Sequence, residues 1–580
     1  MRKRAINNFI LVTLAIFAGT VILYGLLGVI PSEGYNPSDD GVILAQSYRV
    51  LLGQVPHLDF ISIRPVGSAI LHSVHFISPF PLEISARWLV LLQYLSYSMV
   101  WVWVLVRFTS IRKYRGLVFY IILGIWAFLL NQNHYNLFPW TTIDALFWIM
   151  LVLSFYLPEP YSIFRKNGFL KVFLSVFFAS MAALSRQTFL LPALVLYGGF
   201  IYHGIRSGKV KVLVPAMVLG LLPYAVYFVI LSANNAVPLF IDQMTGRTEL
   251  YDTGIRKFYL EFWETPVVWI YLGIFLFLII YRLTQPGNTG AVFRIAILPV
   301  GRIVFAVLFL ASGITVFFRP SIIFGLSFFQ FWLLALLWVF EEVCSKVKPQ
   351  QRNWFFWILF VSWISAISLG DNAPVFAFGL LNVTGIGYVI LKFSERGFSF
   401  RKLTHLQVFG GIILVATIIL SLRAQKEVNY RDLPSSGQEN ALGVLFPEFG
   451  RVRTNPNTFD YFREIDRLYR ELGFPKGRFV VLPNSAIVYP VIGTPNPMPV
   501  DWMQAPEFVG SEELVKEMVG RAVKEQEVYF LIDKYNSKLF ADTITPFTPV
   551  SGKYPYMEYL LDITKKHKLY SDWFDIRVSK

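Results

Sequence analysis

The residues best suited to chemistry gather in the first third of the chain. Asp39 and Asp40 stand side by side in Pro37-Ser38-Asp39-Asp40-Gly41. Two adjacent carboxylates suit proton abstraction from a hydroxyl, or the holding of a divalent cation. The same spacing also fits Ser38 or Asp39 as the cap of the apolar run that follows, and the two roles can coexist. Residues 53–60 read GQVPHLDF and supply His57 and Asp59, and Arg64-Pro65 comes soon after. Asp144 lies in Phe138-Pro139-Trp140-Thr141-Thr142-Ile143-Asp144, where a long apolar run begins. A carboxylate at that depth is costly and usually functional, although a helix start also favours it through the dipole. Arg186 and Gln187 break two apolar runs. A planar guanidinium there, like that of Arg64, either forks onto a phosphate or snorkels to the headgroups. Arg247, Arg256 and Lys257 share the polar stretch 232–265 with Asp242, Glu249 and Asp252. That stretch either closes over a substrate or is a solvated surface. The histidines argue modestly for a metal: His57 near the Asp pair, His72 and His75 on one helical face, and His134 further on. Asp39, Asp40 and His57 are the set that would hold a divalent ion. No zinc-type spacing appears, and satisfied histidines are the plainer reading. There is no P-loop, dinucleotide fingerprint or GxSxG elbow.

These residues need elements to hold them, and composition says what kind. The chain has 580 residues, 55 % hydrophobic and 15 % charged, against about 25 % charged in soluble domains. The excess apolar surface points to a bilayer. One cysteine excludes a disulfide framework. The net charge of +15 lies wholly within residues 1–422, with 31 Lys and Arg against 16 Asp and Glu; residues 423–580 carry 21 of each. The excess falls in short loops between apolar runs, so it orients helices instead of gripping nucleic acid.

Thirteen apolar stretches read as membrane spans: roughly 9–30, 84–106, 116–131, 138–157, 169–184, 187–204, 212–231, 266–281, 303–318, 321–340, 354–370, 374–391 and 406–422. With the N-terminus inside, 23 Lys and Arg, Arg302 among them, fall in inner segments and seven in outer loops, which obeys the positive-inside rule. The first run follows Arg2, Lys3 and Arg4 and reads as a retained anchor in an inner membrane. The first outer loop, 31–83, carries two interfacial helical runs, 42–53 and 66–77. Residues 423–459 read as a polar, Pro/Gly/Asn-rich linker. Residues 460–580 then read as a soluble extracytoplasmic α/β domain, with helices at 460–472, 511–524 and 556–567 and strands at 478–482, 527–532 and 573–578.

In order and sidedness, these motifs resemble the GT-C superfamily of membrane glycosyltransferases, most of all its protein O-mannosyltransferase and lipid A aminoarabinose transferase branch. Asp39-Asp40-Gly41 is similar to the acidic pair of that branch, and GQVPHLDF to the turn after it. Arg64-Pro65 stands where the branch has a basic residue before proline, and Asp144 where it has an acid at the mouth of the fourth span. Residues 182–188, AALSRQT, resemble its basic hairpin around Arg186. The chain departs in having Asp for Glu at the second acid and Arg for Lys at two points. The resemblance implies inverting transfer of a sugar from a polyprenyl-phosphate donor to a glycan, lipid or protein acceptor on the outer face. Asp39 or Asp40 would be the base, Arg64, Arg186 and Gln187 would hold the lipid phosphate, and Asp144 would position a substrate. His57, Asp59, Arg247 and Arg256 would contact acceptor or donor. It implies membrane lipids as surroundings and no nucleic acid; no cofactor is demanded, and a divalent metal stays open. A lipid-linked oligosaccharide flippase and a non-catalytic scaffold of envelope assembly are the competing readings. The flippase explains less well why carboxylates gather on one face, and the scaffold would tolerate Ala at Asp39, Asp40 and Asp144 together.

Overall fold

The computed structural model describes residues 19, 30–107, 114–132, 137–157, 168–245, 252–260, 263, 269, 271–274, 276, 289–345, 347–368, 373–395, 404–473, 477–503, 507, 512–541, 543–549, 554 and 556–580. Most of the expected first span, 9–30, and most of 266–281 lie outside them. Among the described residues six helices are long and apolar enough to cross a bilayer: Leu82–Arg107, Gly168–Ser185, Gln187–Arg206, Leu298–Phe318, Pro320–Cys344 and Val375–Phe393. The helices Val210–Gly220 and Leu222–Ala233, bent by 44° at their junction, make a seventh if counted as one. They share the single expected run 212–231, and Pro223 in the first turn of the second helix fits such a break. The chain is therefore mostly helical and membrane-embedded. Leu194, Ile201, Val218, Val229, Val304 and Val307 are exposed on these helices, as apolar side chains of a bilayer-embedded bundle are expected to be.

Thr141–Tyr156 has 16 residues, about 24 Å at roughly 1.5 Å of rise each, short of a ~30 Å hydrocarbon core. It packs between Leu82–Arg107 and Gly168–Ser185, so its depth is set by neighbours as well as by lipid. Arg302, expected in an inner loop, instead lies inside the helix Thr289–Phe318, with both forks of its guanidinium on Glu341 at 2.6 and 2.7 Å. Tyr388 Oη and Ser345 Oγ donate to the same carboxylate at 3.1 and 2.6 Å. A buried charge survives there because it is paired and hydrogen-bonded throughout.

The two runs of the first loop are the helix Val42–Leu51 and the helix Gly67–His72, which tightens into a 3-10 stretch at Ser73–Ile77. The first of them carries no side-chain cap: it starts at Gly41, whose φ of +88° and contact with Ile487 admit only glycine. Ser38 and Asp39 are thus free of the capping role. Gly67 lies so close to the Leu184–Ser185 backbone that a Cβ would come within 2.6 Å of Leu184. That approach brings the loop down onto the 182–188 hairpin.

In the C-terminal region β1 Asn440–Ala441 and β2 Arg453–Thr454 pair antiparallel, and a four-stranded sheet has the order β3-β4-β6-β5, with β3 Phe479–Leu482, β4 Tyr529–Asp533, β5 Thr564–Lys566 and β6 Phe574–Ser579. β3 and β4 run parallel; the other pairings are antiparallel. Helices Pro456–Leu472, Glu512–Glu525 and Met557–Ile563 accompany it. The stretch expected as a linker is packed. Asp432 accepts from the backbone N–H of Tyr35 at 2.8 Å, from Thr454 Oγ1 at 2.9 Å and from Asn455 Nδ2 at 2.7 Å. Tyr35, Leu44, Leu82 and Ile84 pack in one core with Leu442, Phe449, Phe462 and Ile465. Arg49 crosses from the first loop to Asp501, Nε to both carboxylate oxygens at 2.9 and 2.8 Å, and adds the carbonyls of Asn496 and Met498.

Removing the carboxylate of that pair, Asp501→Ala, leaves a buried uncompensated guanidinium. The expected cost is about 3–5 kcal/mol, read as a lowered midpoint of thermal unfolding and as faster protease release of the 428–580 region from lipid-reconstituted protein.

Candidate active site around Phe138 to Asp144

Four polar groups converge on the segment that starts the helix Thr141–Tyr156. The first is Asp39. Its Oδ2 accepts from Tyr430 Oη at 2.8 Å and from Arg431 Nη1, while Ser38 Oγ is 3.5 Å from its Oδ1. Tyr430 stacks on Phe138, with centroids 6.2 Å apart, and Phe138 meets the edge of Trp140. Asp40 turns the other way. It is fully buried, its Oδ2 sits 3.2 Å from Arg87 Nη2 and accepts from the N–H of Asn36 at 3.2 Å, and Arg87 also holds Glu83 at 2.9 Å. Burial raises the Asp40 carboxyl well above the ordinary range, and Arg87 pulls it back. The adjacent acids therefore occupy different surroundings.

The second group is Arg64, which lies over the Trp140 ring at 5.7 Å. Its Nη1 and Nη2 reach the two oxygens of Glu507 at 3.3 and 3.2 Å. A guanidinium fork gripping a two-oxygen acid is the geometry in which it takes a phosphate. The third is Arg186, in extended backbone between the helix Gly168–Ser185 and the 3-10 turn Gln187–Phe189. It donates to Thr142 Oγ1 and to the carbonyl of Ile367. Burial, then the nearby Arg64 charge, lowers its pKa to about 9, so it stays a cation at neutral pH. Gln187 Nε2 donates to the carbonyl of Ile63 at 2.8 Å, which ties this hairpin to the residue before Arg64.

The fourth group is Asp144, fully buried in the first helical turn. Its Oδ1 accepts from Gln93 Nε2 at 2.7 Å and faces His72 Nε2 at 3.2 Å, while Oδ2 has no protein partner. His72 Nδ1 meets His75 Nε2 at 3.0 Å, and His75 Nδ1 meets Ser85 Oγ at 3.1 Å. The i, i+3 spacing of the histidines was visible in the sequence, but their partner Asp144 was not. Glu507, Tyr430, Arg431 and Gln93 carried no sequence signal, since each comes from a distant stretch.

Other expected site residues lie elsewhere. His57 is buried at φ +67°, with Nδ1 against Gln243 Oε1 at 2.8 Å and Nε2 against Tyr227 Oη at 2.6 Å. Both ring nitrogens are engaged, and burial lowers its pKa to about 4. Asp59 is exposed and accepts from the N–H of Val55, which closes its own turn. Arg256 is exposed, 3.9 Å from Asp252. Arg247 and His134 lie outside the described residues. Asp39, Asp40 and His57 do not gather into a metal site, and among the described residues no group of three or more His, Cys, Asp or Glu side chains is placed to hold an ion.

The two acids separate by experiment. Asp40→Ala takes from buried Arg87 one of its two carboxylates, leaving Glu83 and three carbonyls, and should destabilise the fold by about 1.5–3 kcal/mol. Asp39→Ala, whose partner Arg431 can turn to solvent, should stay within about 1 kcal/mol. Thermal unfolding midpoints of both variants in lipid check this; equal losses would refute the division.

No protein-family profile and no curated protein matches the sequence. Among solved structures, the chain is similar to ArnT from Cupriavidus metallidurans bound to undecaprenyl phosphate, at 12 % identity over 98 % of this chain and 97 % of that one, with a TM-score of 0.42. It is also similar to the same protein in the apo state, at 11 % identity over 97 % of each chain, with a TM-score of 0.39. A third similar structure is the archaeal oligosaccharyltransferase AglB from Archaeoglobus fulgidus, in complex with an inhibitory peptide and a dolichol-phosphate, at 11 % identity over 92 % of this chain and 70 % of that one, with a TM-score of 0.41.

Proposed function

We propose that the chain is a membrane glycosyltransferase of GT-C type. It moves a sugar from a polyprenyl-phosphate donor to a glycan, lipid or protein acceptor on the outer face of the membrane. The observation that carries this reading is the placing of Arg64 and Arg186 on the Trp140 and Thr142 positions of one short segment, which also bears Asp144 and, through Phe138 and Tyr430, meets Asp39.

The chemistry follows from the charges. Breaking the bond between a sugar and a phosphate leaves negative charge on the phosphate, and cations fixed in advance lower that barrier. Arg64 and Arg186 serve this purpose, with Glu507 holding the Arg64 fork when no phosphate does. Asp39 is the base. Its Oδ2 is held by Tyr430 and Arg431, and its Oδ1, with only the long Ser38 contact, takes the acceptor proton. Asp40 serves the fold of the loop. Asp144 positions a substrate hydroxyl through its partnerless oxygen. A lipid-anchored donor explains why such a site belongs at the mouth of a membrane bundle. The thirteen-span topology, with its inside N-terminus and extracytoplasmic α/β domain, belongs to the same proposal, as does a C-terminal region that helps to bind the acceptor.

The test is donor consumption by purified protein in lipid, over a panel of radiolabelled polyprenyl-phosphate monosaccharides. Asp39→Asn should reduce turnover of the active donor at least 10²-fold, as loss of a general base does. Arg64→Ala and Arg186→Ala should each cost about 10²- to 10³-fold. Donor binding and turnover unchanged in the double arginine variant would end the phosphate assignment.

A further inference from the structure

Ser85, His75, His72 and Asp144 form an unbroken buried chain of hydrogen-bonding groups, linked at 3.1, 3.0 and 3.2 Å. Its protons can be counted. Ser85 has one O–H and two acceptors in reach: His75 Nδ1 at 3.1 Å and the carbonyl of Leu82 at 2.9 Å. Suppose Ser85 donates to His75 Nδ1. His75 then carries its proton on Nε2 and donates to His72 Nδ1. His72 carries its proton on Nε2 and donates to the Asp144 carboxylate. Every contact is satisfied, with both rings neutral. Now suppose Ser85 donates to Leu82. Ser85 accepts from His75 Nδ1, and His75 Nε2 accepts from His72 Nδ1. His72 Nε2 and Asp144 Oδ1 are then two bare acceptors facing each other, and one further proton must lie between them. A third arrangement, with His75 doubly protonated between Ser85 and His72, also pairs every donor with an acceptor; the remaining ones set two donors or two acceptors face to face, which burial penalises.

We propose that His72 and His75 are positioning residues that act through Asp144: they form a path along which one proton passes between Asp144 and Ser85, and the unpartnered Oδ2 of Asp144 receives a substrate hydroxyl. The hydroxyl in this statement rests on the transferase reading; the proton path does not. The path takes a proton held at Asp144 onto His72 Nε2, while His72 gives up its Nδ1 proton to His75 Nε2, and His75 gives its Nδ1 proton to Ser85 Oγ; Ser85, 8 % exposed, keeps that proton directed at His75 and releases its former O–H proton to solvent. Each ring accepts one proton and releases one, so both exchange tautomers together.

The surroundings place the extra proton. Burial, then the adjacent His72, lowers the His75 pKa to about 3, so a second charge does not settle there. A proton on Asp144 Oδ2 would be a buried O–H with no protein acceptor, whereas the gap between His72 Nε2 and Asp144 Oδ1 has an acceptor on each side. The facing groups are few: the helix Val42–Leu51, packed on the segment of both histidines, carries Tyr48, stacked on Phe76, and Arg49, paired with Asp501. The helix Leu82–Arg107 contributes neutral Gln93 and Ser85, while its Glu83 and Arg87 face each other and Asp40. The hairpin contributes Arg186, reached through Thr142. The helix Pro349–Ala366 carries its charge, Arg352, in its first turn and paired with Glu342, at the opposite end from Ile367, the carbonyl that binds Arg186.

The test uses the full chain in lipid bilayers with ring-15N histidine, the His72 and His75 signals being assigned with His72→Gln and His75→Gln. As pH falls, His72 and His75 are expected to exchange their protonated nitrogens at one shared midpoint. Asp144→Asn keeps the Oδ1 acceptor but cannot take the proton, and should abolish the exchange while keeping the high-pH spectrum. Rings that hold their tautomers throughout, that exchange separately, or that still exchange in Asp144→Asn overturn the path. A second readout is donor turnover. It should change at the same midpoint, and Ser85→Ala should move both by about one pH unit. His75→Gln keeps a donor but cannot relay a proton; it should lower kcat at least 10-fold with donor KM unchanged. Turnover that is flat across the ring midpoint overturns the positioning role. If wild type consumes no donor while the rings exchange together, the path stands and the transferase reading falls.

Discussion

A buried guanidinium that cannot lose its proton must be surrounded, and Arg87 is surrounded by the loop 31–83. Its side chain is fully buried and binds Glu83, Asp40 and the carbonyls of Pro31, Glu33 and Gly34. Such a charge is tolerated only when nearly every donor finds an oxygen. The loop therefore folds back over the start of the helix Leu82–Arg107. Asp40 turns inward, the chain swings through Gly41 in the left-handed region, and Asp39 is left facing Arg431. Arg49 repeats the device one helix later, on Asp501 and two carbonyls of the C-terminal region. Two buried arginines thus fix the first half of the loop, one to the bundle and one to the C-terminal region.

This explains which features could be read from the sequence. Apolar runs give helices because bilayer and core both demand them, and the helix expected at 84–106 is Leu82–Arg107. Strand 478–482 against Phe479–Leu482 differs by a single residue. Charges were harder. Asp39 and Asp40 are identical in type and adjacent, and only Arg87 and Arg431, far away in sequence, tell them apart. Arg302 looked like a loop residue because its partner Glu341 lies a helix away. The stretch 423–459 looked like a linker for its polar, Pro- and Asn-rich composition, yet Asp432, Gln438 and Asn455 spend those polar groups on tertiary hydrogen bonds. Composition reports how polar a segment is, not whether its polar groups face water.

The same difference between type and surroundings shapes the candidate site. Arg64 and Arg186 are like charges brought together under a close backbone approach at Gly67. Such an arrangement costs free energy unless something negative shares it. Glu507 answers Arg64 alone, whereas the bonds of Arg186 go to neutral oxygens of Thr142 and Ile367. Opposite them, Asp39 is balanced by Arg431 and Asp40 by Arg87. The positive excess is therefore local to the hairpin and the Arg64 turn, where the phosphate of the proposed donor would cancel it. Around Asp144 the surplus is of another kind: an oxygen with no protein partner, and a chain whose contacts are satisfied with or without one further proton. A cation pair for an anion and a proton path for a hydroxyl are separate devices. Both are anchored on residues 140–144, so a substrate that bridged them would have its phosphate and its hydroxyl set by a single helix start.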